Sequence, residues 1–366
     1  MMRQIFKLGL CLVVLLSANA KAQSYKSKDS APFIADAVTE SSSSSSGSSA
    51  ITPQSEKNKT PGTLEDLQSK AAKGDVEAQL NLGYMYLYGV NGTNIDYQQA
   101  IDYYTQAAEQ NSAVAYNNLG SLYFSGIGTE VNRDKALQYF QKAAELGSHD
   151  AAVNLAIIYL GEKEQNVENF DKVLALLNQA QKDNTIAKYL LGYSYLKGFM
   201  VNVDYRKAFQ LIKAAADEKY DEAQYVLADF YIHGYGVPKN YSKAVEYLQT
   251  SAHQGNVDAM MLLADIFAEG KVYTKDIEQA HILYNIASVF GNNEAATKRD
   301  ALEANLKIED LLNVQAEAED FKAKPSEKTA FIRQTFGNSL KNYIDTNLQL
   351  YKNQRGNTSH KSEKKN

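Results

Sequence analysis

Residues 111–146 read NSAVAYNNLGSLYFSGIGTEVNRDKALQYFQKAAEL, and this pattern decides the fold because it returns along the chain at nearly constant spacing. The first alanine of each copy stands at Ala78, Ala115, Ala151, Ala187, Ala223, Ala259 and, in a degenerate last copy, Ala295, in steps of 37 and then 36. Four residues on come Leu82, Leu119, Leu155, Leu191, Leu227 and Leu263, and four further on Tyr86, Tyr123, Tyr159, Tyr195, Tyr231 and Phe267. Anchors four apart share one helical face, so each copy opens with a helix, and the aromatic series is expected to pack between helices.

The second half of each copy is as regular. Ala100, Ala136, Val173, Ala208, Ala244 and Ala280 begin another apolar stripe, continued by pairs such as Tyr103/Tyr104 and Tyr139/Phe140. Between the stripes a glycine recurs at Gly89, Gly126, Gly161, Gly198, Gly234 and Gly270, where a chain leaving a helix can turn. Each unit is therefore a helix, a turn and an antiparallel helix. One such hairpin buries too little by itself, so neighbours must stack, and the period predicts an all-α solenoid.

The pattern A-x3-LGxxYxxG, a short loop, then KAxxYYxxAA resembles the Sel1-like repeat, a relative of the tetratricopeptide repeat, over about residues 64–321. The resemblance is to the exported bacterial type and implies a right-handed α-solenoid of stacked helix-turn-helix units. Copies one, two and five match best. Copy three departs, with Ala156 in place of the repeat glycine and no Gly-x-Gly turn in residues 162–169, which leaves its loop open but not its two helices.

The expected order begins with a signal peptide at 1–22, where Arg3 and Lys7 precede the apolar run 8–16 and small residues offer a cleavage site. The apolar run is too short to span a bilayer. Cys11, the one cysteine of the chain, lies inside this leader, so a mature chain has no thiol for disulfides or metal sites. A Ser-rich linker follows at 23–62. Residues 63–73 align with a second helix and form an N-terminal cap, with Thr63 as its capping residue. Six repeats occupy 74–290, divided as 74–110, 111–146, 147–183, 184–219, 220–254 and 255–290. A degenerate capping repeat at 291–324, read as one longer charged helix, leads to a C-terminal helix at 325–351 carrying Ile332, Phe336, Leu340, Tyr343 and Leu348. The last stretch, 352–366, reads as an unfolded basic tail.

Chemistry is sparse. The five histidines show no HExxH motif or paired spacing, the Gly-x-Gly fragments occupy inter-helix turns, and no Gly-x-Ser-x-Gly elbow occurs. No enzyme activity, catalytic residue, metal or cofactor is expected. The net charge is −5 although the final fifteen residues carry +4, so the body is acidic and unsuited to nucleic acid. What remains is a surface. By analogy with tetratricopeptide stacking, the first helix of each unit lines a concave groove, and Tyr84, Tyr88, Asn117, Phe124, Tyr189, Tyr193, Tyr225, Asp229 and Asp265 are the expected partner-binding residues. Tyrosine offers broad contact area with a hydrogen-bonding tip. The resemblance implies a monomeric, periplasmic or secreted scaffold with a protein or peptide partner in the envelope or host, serving envelope biogenesis or host-cell interaction. Two alternatives also follow from relatives: a β-lactam-binding or β-lactam-hydrolysing enzyme, whose cysteine-rich members carry a disulfide per repeat that this chain lacks, and a modulator of peptidoglycan enzymes.

Overall fold

The computed structural model describes residues 63–162, 167–337 and 339–363. The leader, the Ser-rich linker and the centre of the copy-three loop (163–166) lie outside the described residues. All regular structure among them is α-helical, and the fold is an α-solenoid of stacked hairpins.

Helix starts follow a fixed register. Positions 75, 112, 148, 184, 256 and 292 hold Asp, Ser, Ser, Asn, Asn and Asn, and each side chain accepts the N–H three residues on, at 2.9–3.3 Å. The second helices start the same way on Asp96, Asn132, Asp204, Asn240 and Asp276. Each such cap contributes about 0.5–2 kcal/mol by satisfying an otherwise orphaned N–H. Tyr220 alone breaks the series and makes no side-chain cap.

The chain forms two compact units, with the boundary inside α8. The first takes in the described residues up to Ala187 with 334–337 and 353–363. It contains α1 (Leu64–Ala72), capped by Thr63 as expected, then the hairpins α2 (Val76–Tyr88) with α3 (Tyr97–Glu109), α4 (Ala113–Ser125) with α5 (Arg133–Glu145), and α6 (His149–Leu160) with α7 (Val167–Ala180). The repeat glycine exists to admit a ring: a Cβ on Gly83 would lie 2.6 Å from the ring of Tyr104, and one on Gly120 2.7 Å from that of Phe140. In copy three Ala156 and, at the repeat position of Tyr104 and Phe140, Leu177 are both fully buried, and both helices form. Tyr86 stacks on Tyr103 at 5.8 Å and Tyr123 packs on Tyr139 at 5.6 Å, so the aromatic series does join helices.

The second unit, Lys188–Arg333 with Ser339–Lys352, contains most of α8 (Thr185–Lys197), then α9 (Tyr205–Asp217), α10 (Asp221–His233), α11 (Tyr241–His253), α12 (Val257–Glu269), α13 (Ile277–Val289), α14 (Asn293–Glu303), α15 (Ile308–Glu319), α16 (Glu327–Phe336) as far as Arg333 and α17 (Lys341–Glu363) as far as Lys352. Here a Cβ on Gly192 would sit 2.9 Å from Cγ1 of Ile212 and 3.1 Å from its backbone nitrogen. Gly192→Leu is therefore expected to lower stability by about 1–3 kcal/mol or more through overpacking, read as a fall in the denaturation midpoint. An unchanged midpoint would mean that α8 and α9 do not cross at this residue.

Two expectations about the C-terminal third are corrected. The closing segment is not one longer helix: α14 and α15 are separate, and both pack on α13. The C-terminal helix is also two helices, interrupted where Gly337 takes φ 93°, a backbone angle that costs glycine little. The second of them, α17, runs on to Glu363 through the stretch expected as an unfolded tail. No proline interrupts that stretch, and a helix once nucleated propagates at little cost.

Candidate functional site

The first helices of the repeats carry the expected groove residues. In the first unit Tyr84 and Tyr88 are one turn apart on α2, their rings edge-on at 4.6 Å and half-buried. Asn117 on α4 accepts a hydrogen bond from the Asn154 amide of α6 at 3.0 Å. Phe124 lies under the Arg133 guanidinium at 5.8 Å.

In the second unit the same face is occupied by the chain's own C-terminus. Tyr189 on α8 is fully buried, stacked on Tyr193 and edge-on to Tyr220 at 5.1 Å, and its hydroxyl has no hydrogen-bond partner. The Tyr193 hydroxyl donates to the Asp345 carboxylate of α17 at 3.1 Å. Burial first, then Asp345, pushes the Tyr193 phenol well above its ordinary pKa. The Lys341 ammonium of α17 lies 4.9 Å over the ring of Tyr225 and pairs with Asp258 of α12. Burial pulls that ammonium down, but the hydrogen bond and charge of Asp258 outweigh it and its pKa is raised. Tyr351 closes edge-on against Phe199 at 5.3 Å. Tyr193 and Tyr225 therefore meet a helix of the chain itself, while Tyr189 is buried against Tyr193 and Tyr220.

Two acidic residues stand elsewhere. Asp229 pairs with His233 one turn along α10 at 2.8 Å. Asp265 is taken up within the last hairpins, accepting from Tyr284 of α13 and Lys298 of α14.

The residues that sequence reasoning missed are the ones that hold the C-terminal segment. Glu222 on α10 is buried and accepts from the Tyr220 hydroxyl at 2.6 Å, from Ser339 and from the Leu340 N–H at 2.9 Å. Burial pushes its carboxyl up against the pull of those three donors. The missing cap at Tyr220 is supplied from a distance: the Thr329 hydroxyl of α16 accepts from the Asp221 N–H at 3.1 Å. Arg333 pairs with the buried Asp221 and donates to the Gln254 carbonyl at 3.1 Å. Ser326 and the Lys324 N–H bind the inter-repeat turns at Lys219 and His253. The only signal for these contacts was Tyr220 standing where every other copy has a capping side chain.

With this geometry in place, a family model described as the Sel1 repeat matches residues 76–112, 113–148, 185–220, 221–256 and 257–288. The interval between the second and third matches is copy three, whose departures are described above. Among solved structures, a protective antigen present in uropathogenic Escherichia coli strains, displaying an SLR fold, superimposes with a TM-score of 0.64 at 25% identity, covering 75% of this chain and 58% of its own. The chain thus spans less than two thirds of that relative. A Sel1 repeat protein from Oxalobacter formigenes superimposes with a TM-score of 0.53 at 28% identity, covering 62% of this chain and 91% of its own. No curated protein matches the chain.

Proposed function

Since the chain is a Sel1 repeat protein, we propose that it acts as an exported scaffold, holding a protein partner on the face made by the first helices of its repeats. The observation that carries this reading is α17 itself: α8, α10 and α12 grip a helix through the hydroxyl of Tyr193, the carboxylates of Glu222 and Asp258, and the ring of Tyr225. A surface that binds one helix in this way has the physical means to bind another. Export rests on the basic and apolar leader at 1–16. The likeness to a protective antigen of uropathogenic E. coli favours an envelope or host setting for the partner. Its work is binding, and the acidic body suits a partner with a basic end.

The test is cross-linking of the full mature chain in envelope and host-cell extracts, comparing wild type with a Tyr84→Ala, Tyr88→Ala, Phe124→Ala variant checked by circular dichroism. A cross-linked protein lost only in the variant is expected. One retained at full yield would take recognition off the inner face of the first unit, and β-lactam turnover by the purified chain would overturn the scaffold reading.

A further inference from the structure

The two C-terminal helices are held in different ways. Before α16, Ser326 caps the helix while its hydroxyl donates to the Lys219 carbonyl at 2.7 Å, and Thr329 and Arg333 complete the start of α10. α16 is thus part of the framework, because without it α10 loses its cap and Asp221 its cation.

By contrast, α17 lies in the groove as a ligand would. The buried residues from Leu340, just before its first turn, through Ile344, Asn347 and Tyr351 fall at steps of four, three and four, the spacing of a helix laid into a cleft. Its polar grips are at the edge, where Asp345 is exposed and Lys341 retains some exposure. The groove supplies what a free helix end lacks, since Glu222 accepts from Ser339 and from the Leu340 N–H at the start of α17. The joint between the helices is Gly337, at φ 93° with nothing within 4 Å of where a side chain would begin.

We propose that α17 is a tethered occupant of a helix-binding groove on the second unit, and that the external ligand of this groove is an amphipathic helix of a partner protein with the same pattern. That pattern is an apolar residue for the Leu340 position, lysine next to it for Asp258 and Tyr225, an apolar residue at the Ile344 position with a carboxylate beside it for Tyr193, and an aromatic at the Tyr351 position for Phe199. The inference rests on the scaffold reading and names its site and its partner chemistry. A tethered helix competes at a high effective concentration, so an external helix binds weakly until α17 is loosened.

The experiment uses the full chain and a fluorescent peptide, SLKNYIDTNLQLYK, reproducing residues 339–352. A Lys341→Ala, Asp345→Ala variant loosens α17 and leaves the groove intact. It is expected to bind the peptide at least about ten-fold more tightly than wild type does. Adding Tyr193→Phe and Asp258→Asn to that variant is expected to remove the gain, and a scrambled peptide to show none. In wild type, hydrogen exchange under excess peptide is expected to show residues 341–351 losing protection while 327–333 keep theirs. Equal affinities for wild type and the loosened variant, or a gain indifferent to the groove substitutions, would overturn the proposal. If the loosened variant fails to fold, exchange in wild type decides alone, and unchanged protection overturns it. Capture of a partner in extracts with no peptide effect would leave the scaffold and remove the tethered occupant. Peptide exchange with no partner captured would do the reverse.

Discussion

Arg333→Ala is expected to lower the unfolding free energy of the second unit by about 3–5 kcal/mol, the cost of leaving a buried charge without its counter-ion. Asp221 is 2% exposed, and the Arg333 guanidinium is its cation. Its remaining donor is the neutral amide of Asn256 at 2.9 Å, which cannot offset a full negative charge in a region from which water is excluded. The loss would show as a reduced midpoint in chemical denaturation followed by circular dichroism. A double variant, Arg333→Met with Asp221→Asn, removes both charges and is expected to recover most of the stability, since an absent buried pair costs far less than a broken one. A loss under about 1 kcal/mol for Arg333→Ala would instead mean that water reaches Asp221 and that α16 is docked only loosely.

That expectation concerns a part of the molecule where sequence reading stopped short. The repeat was legible because the hairpins share physical needs: a capping side chain in all first helices but that after Tyr220, a small residue at the helix crossing, and a turn glycine. Those needs are met locally, at Gly83 and Gly120 against a ring and at Gly192 against Ile212. Of the residues expected to meet a partner, Tyr193 and Tyr225 meet α17, Tyr189 is buried, and Asp265 accepts from Tyr284 and Lys298.

The occupant was not legible from spacing alone. Residues 329–351 carry Ile332, Phe336, Leu340, Tyr343 and Leu348 at roughly helical spacing, and nothing in that spacing says what the apolar face meets. The helix is interrupted at Gly337, and the side chains buried after it are Leu340, Ile344, Asn347 and Tyr351. Whether a lone glycine ends a helix depends on tertiary contacts, here the capture of Ser339 and Leu340 by Glu222, more than a hundred residues earlier in the chain. Tyr220 in a series of caps was the visible trace of this long-range design, because a helix start with no local cap must find one elsewhere.

The buried tyrosines set a second large effect, at alkaline pH. Tyr189 and Tyr220 in the second unit, and Tyr104 in the first, are fully buried, and burial raises each phenol well above its ordinary pKa. In the unfolded chain the same groups ionise near pH 10. Because the folded pKa is the higher one, their contribution to stability is fully present below about pH 10 and is lost as pH rises from there toward the folded values. Each group removes about 1.4 kcal/mol per pH unit in that window. Tyr189 and Tyr220 together therefore remove about 3 kcal/mol per unit from the second unit while pH lies between the unfolded and folded values, against a net stability of about 5–15 kcal/mol for a typical domain. Tyr193, also raised, adds to the slope. The expected result is a cooperative rise in tyrosinate absorbance that coincides with loss of the helical signal. Smooth ionisation of all phenols with the helices intact would mean that water reaches Tyr189 and Tyr220 in the folded state. Tyr189→Phe separates packing from ionisation. It deletes a buried hydroxyl that has no partner, so stability at neutral pH should hold or rise, and it removes one ionising group, so the alkaline transition should move to higher pH.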